Sequence, residues 1–283
     1  MTALELLSRG PGRVRGATHR LRRGAGAGGL VLLVLGGAAM MPGHWLDLDA
    51  GSIGRSPALA HPLGTDALGR DVAARTLAAL ATSVRIGLIA ALASTAIALA
   101  MALAAALGRT ADHAVGVVTE LMLGLPHFVL LIIVAFAVGG GTTGVVVAIA
   151  LTHWPRLARL LRHEAQIVAA SEYAAVSRAL GRSRFWIARH HLAPHLLPQV
   201  IAGFVLIFPH AILHEAGLSF VGLGIEPHLP SIGVMLAESL REIIAGHWWV
   251  ATAPGLGLVA VALAFERFGE ALRAAAAPPE GTS

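Results

Sequence analysis

Apolar residues fall along this chain in long runs rather than singly. Windows of about 20 predominantly apolar residues, the length that crosses a hydrocarbon core of about 30 Å, occur at roughly 25–42, 84–107, 115–138, 143–160, 196–217 and 249–268. The polar segments between them are rich in arginine, glycine and proline. The pattern predicts an all-α membrane protein of about six transmembrane helices. Its divisions are a basic tail at 1–24, a first span at 25–42, an extracytoplasmic segment at 43–83, a helical core at 84–275 with a loop at about 161–195, and a tail at 276–283. Six arginines precede the first run, as in the charged region of a signal peptide or of a signal anchor. No small-residue cleavage site separates that run from the next segment, so it is read as a retained span.

Smaller features inside the runs read as packing. Pro126 and Pro209 are expected to kink their helices, with neighbours satisfying the freed carbonyls. Gly139 to Gly141 is expected to form a tight outer turn. Gly24, Gly26 and Gly29 match a dinucleotide-binding pattern in letters only, because no strand precedes them and a span comes directly after; close helix packing by small residues accounts for them.

Composition supports this reading and narrows it. The chain is 56% hydrophobic and 13% charged, with a mean hydropathy of +0.73, against about 45–50% apolar and about 25% charged in soluble domains. A soluble globule is excluded on those values. There is no cysteine, which removes disulfides, iron–sulfur clusters and thiol nucleophiles. There is also no lysine, so all 21 basic residues are arginine. A P-loop needs its lysine on the nucleotide phosphates, so any ATP hydrolysis is expected on other chains, and no cofactor is expected on this one. The high isoelectric point, near 11.2, follows from basic loops. No basic patch is interleaved with aromatics, so nucleic acid is not an expected partner.

Arginine placement orients the spans. With the N-terminus inside, sixteen arginines fall on inner segments and five on outer ones. The positive-inside bias therefore predicts a multi-pass protein with both termini and the 156–195 segment in the cytoplasm.

That inner segment has its own pattern. Tyr173, Val176 and Leu180 recur at helical spacing, which predicts a short amphipathic helix from Glu172 to Leu180 stopped by Gly181. A second short segment, with Phe185, Trp186 and Ile187 among Arg182, Arg184 and Arg189, is expected to run to Pro194. Such a helix lies on anionic lipid or docks in the groove of a soluble partner.

The stretch from Glu172 to Gly181, followed by Arg189-His190-His191-Leu192-Ala193-Pro194, resembles the coupling (EAA) loop of ABC-importer permeases. The nominal Glu-Ala-Ala triplet falls on Ala175-Val176-Ser177, so its glutamate is absent while the apolar stripe remains. His61-Pro-Leu-Gly-Thr-Asp66-Ala-Leu-Gly-Arg70-Asp71 resembles the segment before the second span in permeases of the peptide and nickel importers. Glu215-Ala-Gly-Leu-Ser-Phe-Val-Gly-Leu-Gly224, with Trp248-Trp249 and Pro254-Gly255-Leu256, resembles their last third. The resemblance covers residues 61–275. It implies a type I ABC importer permease in the plasma membrane, working with a second homologous permease subunit, two ATP-binding cassette ATPase subunits and an extracytoplasmic substrate-binding protein. It also implies that Tyr173, Val176, Arg178, Leu180, Gly181 and Pro194 couple this chain to an ATPase.

Two chemical constellations remain. Asp66, Arg70, Asp71 and Arg75, spaced by four and five, can pair opposite charges on a helical turn or form a solvated cap. Of the fourteen histidines, most are assigned to loops or to the ends of spans, His153 and His163 among them. His210 and His214, with Glu215, lie inside the fifth span. Positions i and i+4 share a face, imidazole suits nickel, zinc or copper, and ionisable groups at membrane depth mark pathways. His210, His214 and Glu215 are therefore expected at or near the cargo path, with His210 and His214 as candidate metal ligands. Similarly spaced histidines in nickel-importer permeases make nickel or a metal chelate the expected cargo. Dipeptides or oligopeptides are the alternative, supported by Glu215, and a secondary transporter or a membrane-embedded enzyme are remoter ones.

Overall fold

The computed structural model describes residues 29, 34–38, 47–226 and 228–276, with side chains as far as 271. Among the described residues the fold is helical, without strands. Four helices are long and apolar enough to cross a membrane, and a bent pair makes up to five. The expected first span, 25–42, lies largely outside the described residues.

Helix α1, Val72–Ala105, has 34 residues and a length of about 51 Å at 1.5 Å per residue. It begins well before the expected position 84. Asp71 supplies the start: its carboxylate accepts the Ala74 N–H at 2.9 Å, satisfying one of the four orphan donors of the first turn. The apolar pattern starts late because Arg75 and Thr76 interrupt it, yet both are buried.

The third run does not form one span. It breaks into α2, Arg109–Gly124, and α3, His127–Ala137, bent by 101°. Pro126 has no N–H to continue the ladder, and it holds the preceding Leu125 in extended backbone, at φ −89° and ψ 146°, away from the helical region. Pro209, by contrast, stays inside a continuous helix. The tight turn forms as expected, with Gly139, Gly140 and Gly141 at φ of +99°, +70° and +68°.

Helix α4, Gly141–Ala169, runs on past the expected end of the fourth span. The connection after α4 is correspondingly short. It holds α5, Glu172–Ala179, and then α6, Arg184–Ile187. A π-helical turn at Ala188–Leu192 joins α6 to α7, Ala193–Phe220. Pro194 does not close the loop, contrary to expectation. Instead the wider π turn, closed by Ala193 N–H on the Ala188 carbonyl, carries the chain through this proline into the span without a break. Helices α8, Ile232–Ile244, and α9, Trp249–Ala276, complete the bundle.

Two apolar clusters divide the interior. One, with Val84, Leu131, Ile149, Phe208, Ile212 and Phe265, fills the half nearer the 139–141 turn. The other contains Ala98, Leu157, Leu161 and Val168 and takes in Ala174, Ile187 and Leu192. The second cluster therefore anchors the α5–α6 connection to the spans.

Candidate functional site

Helix α5 shows what eight residues can present. Ala174 is fully buried against the second cluster, and this small side chain lets α5 lie close to the bundle. The rest of the apolar stripe points outward: Tyr173 is 47% exposed, Val176 58% and Leu180 76%. Phe185 adds a further exposed ring. Gly181, at φ +77°, takes the left-handed conformation that ends the helix and that a side chain would strain. Arg178 donates to the Ala169 carbonyl at 2.9 Å. Ser177 and His191 are joined at 2.8 Å, and Tyr173 meets His191 edge to face with centroids 5.1 Å apart. The knob is thus held in place while its apolar surface has no partner among the described residues.

A cavity of about 1220 Å³ runs between α2, α3, α4 and α7. Along α7 its lining extends from Pro194 to His214, twenty residues or about 30 Å of helix. Its walls are largely apolar, with Leu123, Leu157, Leu160 and Leu206 among them. Gly203 allows the tight packing there, since a Cβ would stand 2.4 Å from Leu157 Cδ1. The polar side chains on the wall include Thr152, Arg156, Gln199, His210 and the three histidines at its far end.

Those three are His127, His153 and His214. Their candidate ligand nitrogens all lie within 4.8 Å of one another, with ring centroids 4.6 to 5.0 Å apart. The Pro126 bend puts His127 at the first position of α3. His210 and His214 both line the cavity, as expected, but His210 is not part of the close cluster. His153, expected only to flank an inner span end, is a central member. His127 carries no sequence signal beyond its place after the helix-breaking proline. Glu215 does not line the cavity. It is fully buried, with Oε1 accepting from Ser219 Oγ at 2.9 Å.

The far end of the molecule is built from charge. Asp66, 2% exposed, accepts from Arg70 at 2.8 Å and from Arg75 at 2.7 Å, and Arg75 reaches Glu238 at 2.8 Å. These residues do not share a helical turn as the spacing suggested. Asp66 and Arg70 lie in the loop before α1, while Asp71 caps α1 and pairs with His61 at 2.9 Å. Trp249 Nε1–H donates to the Thr65 carbonyl at 3.0 Å, tying this loop to the start of α9. Burial makes it a structural seal rather than a solvated cap.

Several apolar spans, a cavity along one helix and an exposed apolar knob on the connection between two spans fit a membrane permease. Residues 94–276 match the family described as the binding-protein-dependent transport system inner membrane component. The chain belongs to this family, the ABC-importer permeases with the type I fold, and is a multi-pass membrane subunit. It is 33% identical over 223 residues to the dipeptide transport system permease protein DppC of Bacillus subtilis, covering 78% of this chain and 70% of that one. It is 31% identical over 263 residues to a putative peptide transport system permease protein of Brucella suis, covering 91% and 88%. With the probable D,D-dipeptide transport system permease protein DdpC of Escherichia coli it shares 32% over 226 residues, covering 80% and 76%. All three names refer to peptides, so the expectation of nickel or a metal chelate as cargo gains no support from them.

Proposed function

We propose that this chain forms part of the translocation path of an ATP-driven importer of dipeptides or oligopeptides. A second homologous permease subunit completes the path, two ATPase subunits drive it, and an extracytoplasmic binding protein delivers the cargo. The α5 knob docks an ATPase through Tyr173, Val176, Leu180 and Gly181. Both termini and α5 face the cytoplasm, in keeping with the arginine bias, so the Pro194 end of the cavity lies toward the cytoplasm. ATP is used by the partner subunits.

The observation that carries the cargo reading is the cavity wall. Arg156 lines it and makes no ion pair among the described residues. A guanidinium is the side chain best suited to a peptide's terminal carboxylate, which it can hold with two parallel hydrogen bonds. Gln199 and Thr152 offer amide-like and hydroxyl partners for peptide groups, and the leucines accept side chains of varied shape. The peptide names of the relatives support the same reading.

The test is ATP-dependent uptake into proteoliposomes holding this chain with its partner permease, ATPases and binding protein. Labelled dipeptide is expected to enter only with ATP, and Arg156→Ala to cut the initial rate at least about tenfold, the loss of one charge-assisted contact of about 1.5–3 kcal/mol. Uptake of Ni²⁺ without uptake of dipeptide overturns the cargo reading.

A further inference from the structure

We infer that His127, His153 and His214 form a binding site for a divalent transition metal at the His214 end of the cavity. The site does not depend on the peptide reading, because metal content is measured with no cargo present.

Three features carry the inference. The first is convergence: the three residues come from three helices, α3, α4 and α7, and their ligand nitrogens already lie within 4.8 Å of one another. In a tetrahedral zinc–imidazole centre with Zn–N of about 2.0–2.1 Å, neighbouring nitrogens are about 3.3 Å apart. The rings need to close by at most about 1.5 Å, a motion that small side-chain rotations supply.

The second is the hydrogen bonding of the rings. His153 Nδ1–H donates to the Ile149 carbonyl at 3.1 Å, and His214 Nδ1–H donates to the His210 carbonyl at 2.8 Å. A carbonyl only accepts, so each Nδ1 carries the hydrogen and each neutral ring is left with its lone pair on Nε2. Backbone carbonyls that fix the tautomer and orientation of a ligating imidazole in this way are the usual outer partners of metal-bound histidine. His153 Nε2 stands 3.1 Å from His214 Nδ1, so its lone pair faces that N–H, and the His153 ring has to turn away from this contact to ligate a metal.

The third is the opening. Three protein ligands with the cavity beyond them leave a fourth coordination position free. All three ligands are neutral, so the bound ion keeps its double positive charge. An anion or water from the cavity completes the sphere, and Arg156 on the same wall offsets an anionic ligand's charge.

The decisive measurement uses the full chain with its partner permease in lipid nanodiscs, purified by an affinity tag without histidine and titrated with Zn²⁺ alone. Elemental analysis is expected to find one more Zn²⁺ per complex in the wild type than in the His127→Ala/His153→Ala/His214→Ala variant. Each single alanine variant should weaken that site at least about 100-fold, while exposed His113→Ala keeps it. Equal zinc in the wild type and the triple variant overturns the site. Zinc-edge X-ray absorption on the wild type loaded with one equivalent needs no variant to fold. Three imidazole scatterers are expected, and two or fewer overturn the inference in favour of imidazoles that only hydrogen-bond to one another.

Discussion

The two ends of this molecule solve opposite problems. At the outer end, Asp66, Arg70, Arg75 and Glu238 form a closed set of ion pairs, and Arg75 is only 6% exposed. At the inner end, α5 leaves Val176 and Leu180 more than half exposed, on a helix whose buried contact is the methyl group of Ala174. Exposed apolar surface rimmed by polar residues marks an interaction site, whereas buried charge must be paired where it stands. The Asp66 end is therefore paired within the described residues, and the α5 end is the one we propose another chain completes. On the proposed docking role, the fold separates structural stability from coupling to the ATPase.

The largest effect is expected from breaking the complete end. Asp66→Ala removes the carboxylate that both arginines share, together with the acceptor of the Leu68 and Arg70 amides. Arg75 keeps Glu238 but loses its buried partner. Breaking a buried pair from one side costs about 3–5 kcal/mol, and the lower end applies here because Glu238 remains. Thermal unfolding of the purified complex should show this loss, and limited proteolysis should open the 47–71 segment. An unchanged melting temperature would mean that the seal contributes nothing and that the contrast between the ends is false.

The incomplete end should respond in the opposite way. Leu180→Asp places a charge on the exposed stripe, where water solvates it at little cost to the fold. Cargo uptake and cargo-stimulated ATP hydrolysis are expected to fall at least about tenfold, about 1.4 kcal/mol of lost docking, with the melting temperature of the permease unchanged. A variant that transports normally refutes the docking role, and one that melts early shows that Leu180 supports the fold instead.

The two ends are unequally legible in the sequence. The spans can be read because a bilayer forces long apolar runs, and α5 can be read because Tyr173 and Val176 within it and Leu180 at its C-cap keep helical spacing. The start of α1 cannot, since Arg75 reads as a loop residue until its buried partners Asp66 and Glu238 are seen. The 101° bend is half visible in Pro126, but a proline alone does not separate a break from a kink; Pro209 sits inside α7 without one. The histidine cluster is hidden for a different reason. His153 and His214 are 61 positions apart, and only the packing of α4 against α7 brings them together. Arg156 reads as one of the inner-loop arginines that orient the chain, whereas the extension of α4 makes it part of the cavity wall.

The smallest effect sharpens the comparison by moving the outer end's chemistry to its exposed rim. Glu226 accepts from the Thr142 hydroxyl at 2.6 Å and from its amide at 3.3 Å, joining the loop after α7 to the start of α4. The Thr142 hydroxyl, more than any other group, holds the Glu226 carboxyl below its ordinary value. A carboxyl whose pKa is lowered by folding stabilises the fold above its unfolded pKa, and that contribution is lost as pH falls through the folded value. Thr142→Val should therefore cost a little at pH 7, below about 1 kcal/mol because solvent screens the contact. The cost should shrink below the usual carboxylate range, where Glu226 is protonated in both proteins. Melting curves of the two proteins at neutral and acidic pH measure this directly. A difference that persists unchanged into acid would mean that Thr142 acts through packing rather than through the charge of Glu226. A cost as large as that of Asp66→Ala would show that burial is not what distinguishes the seal from its rim.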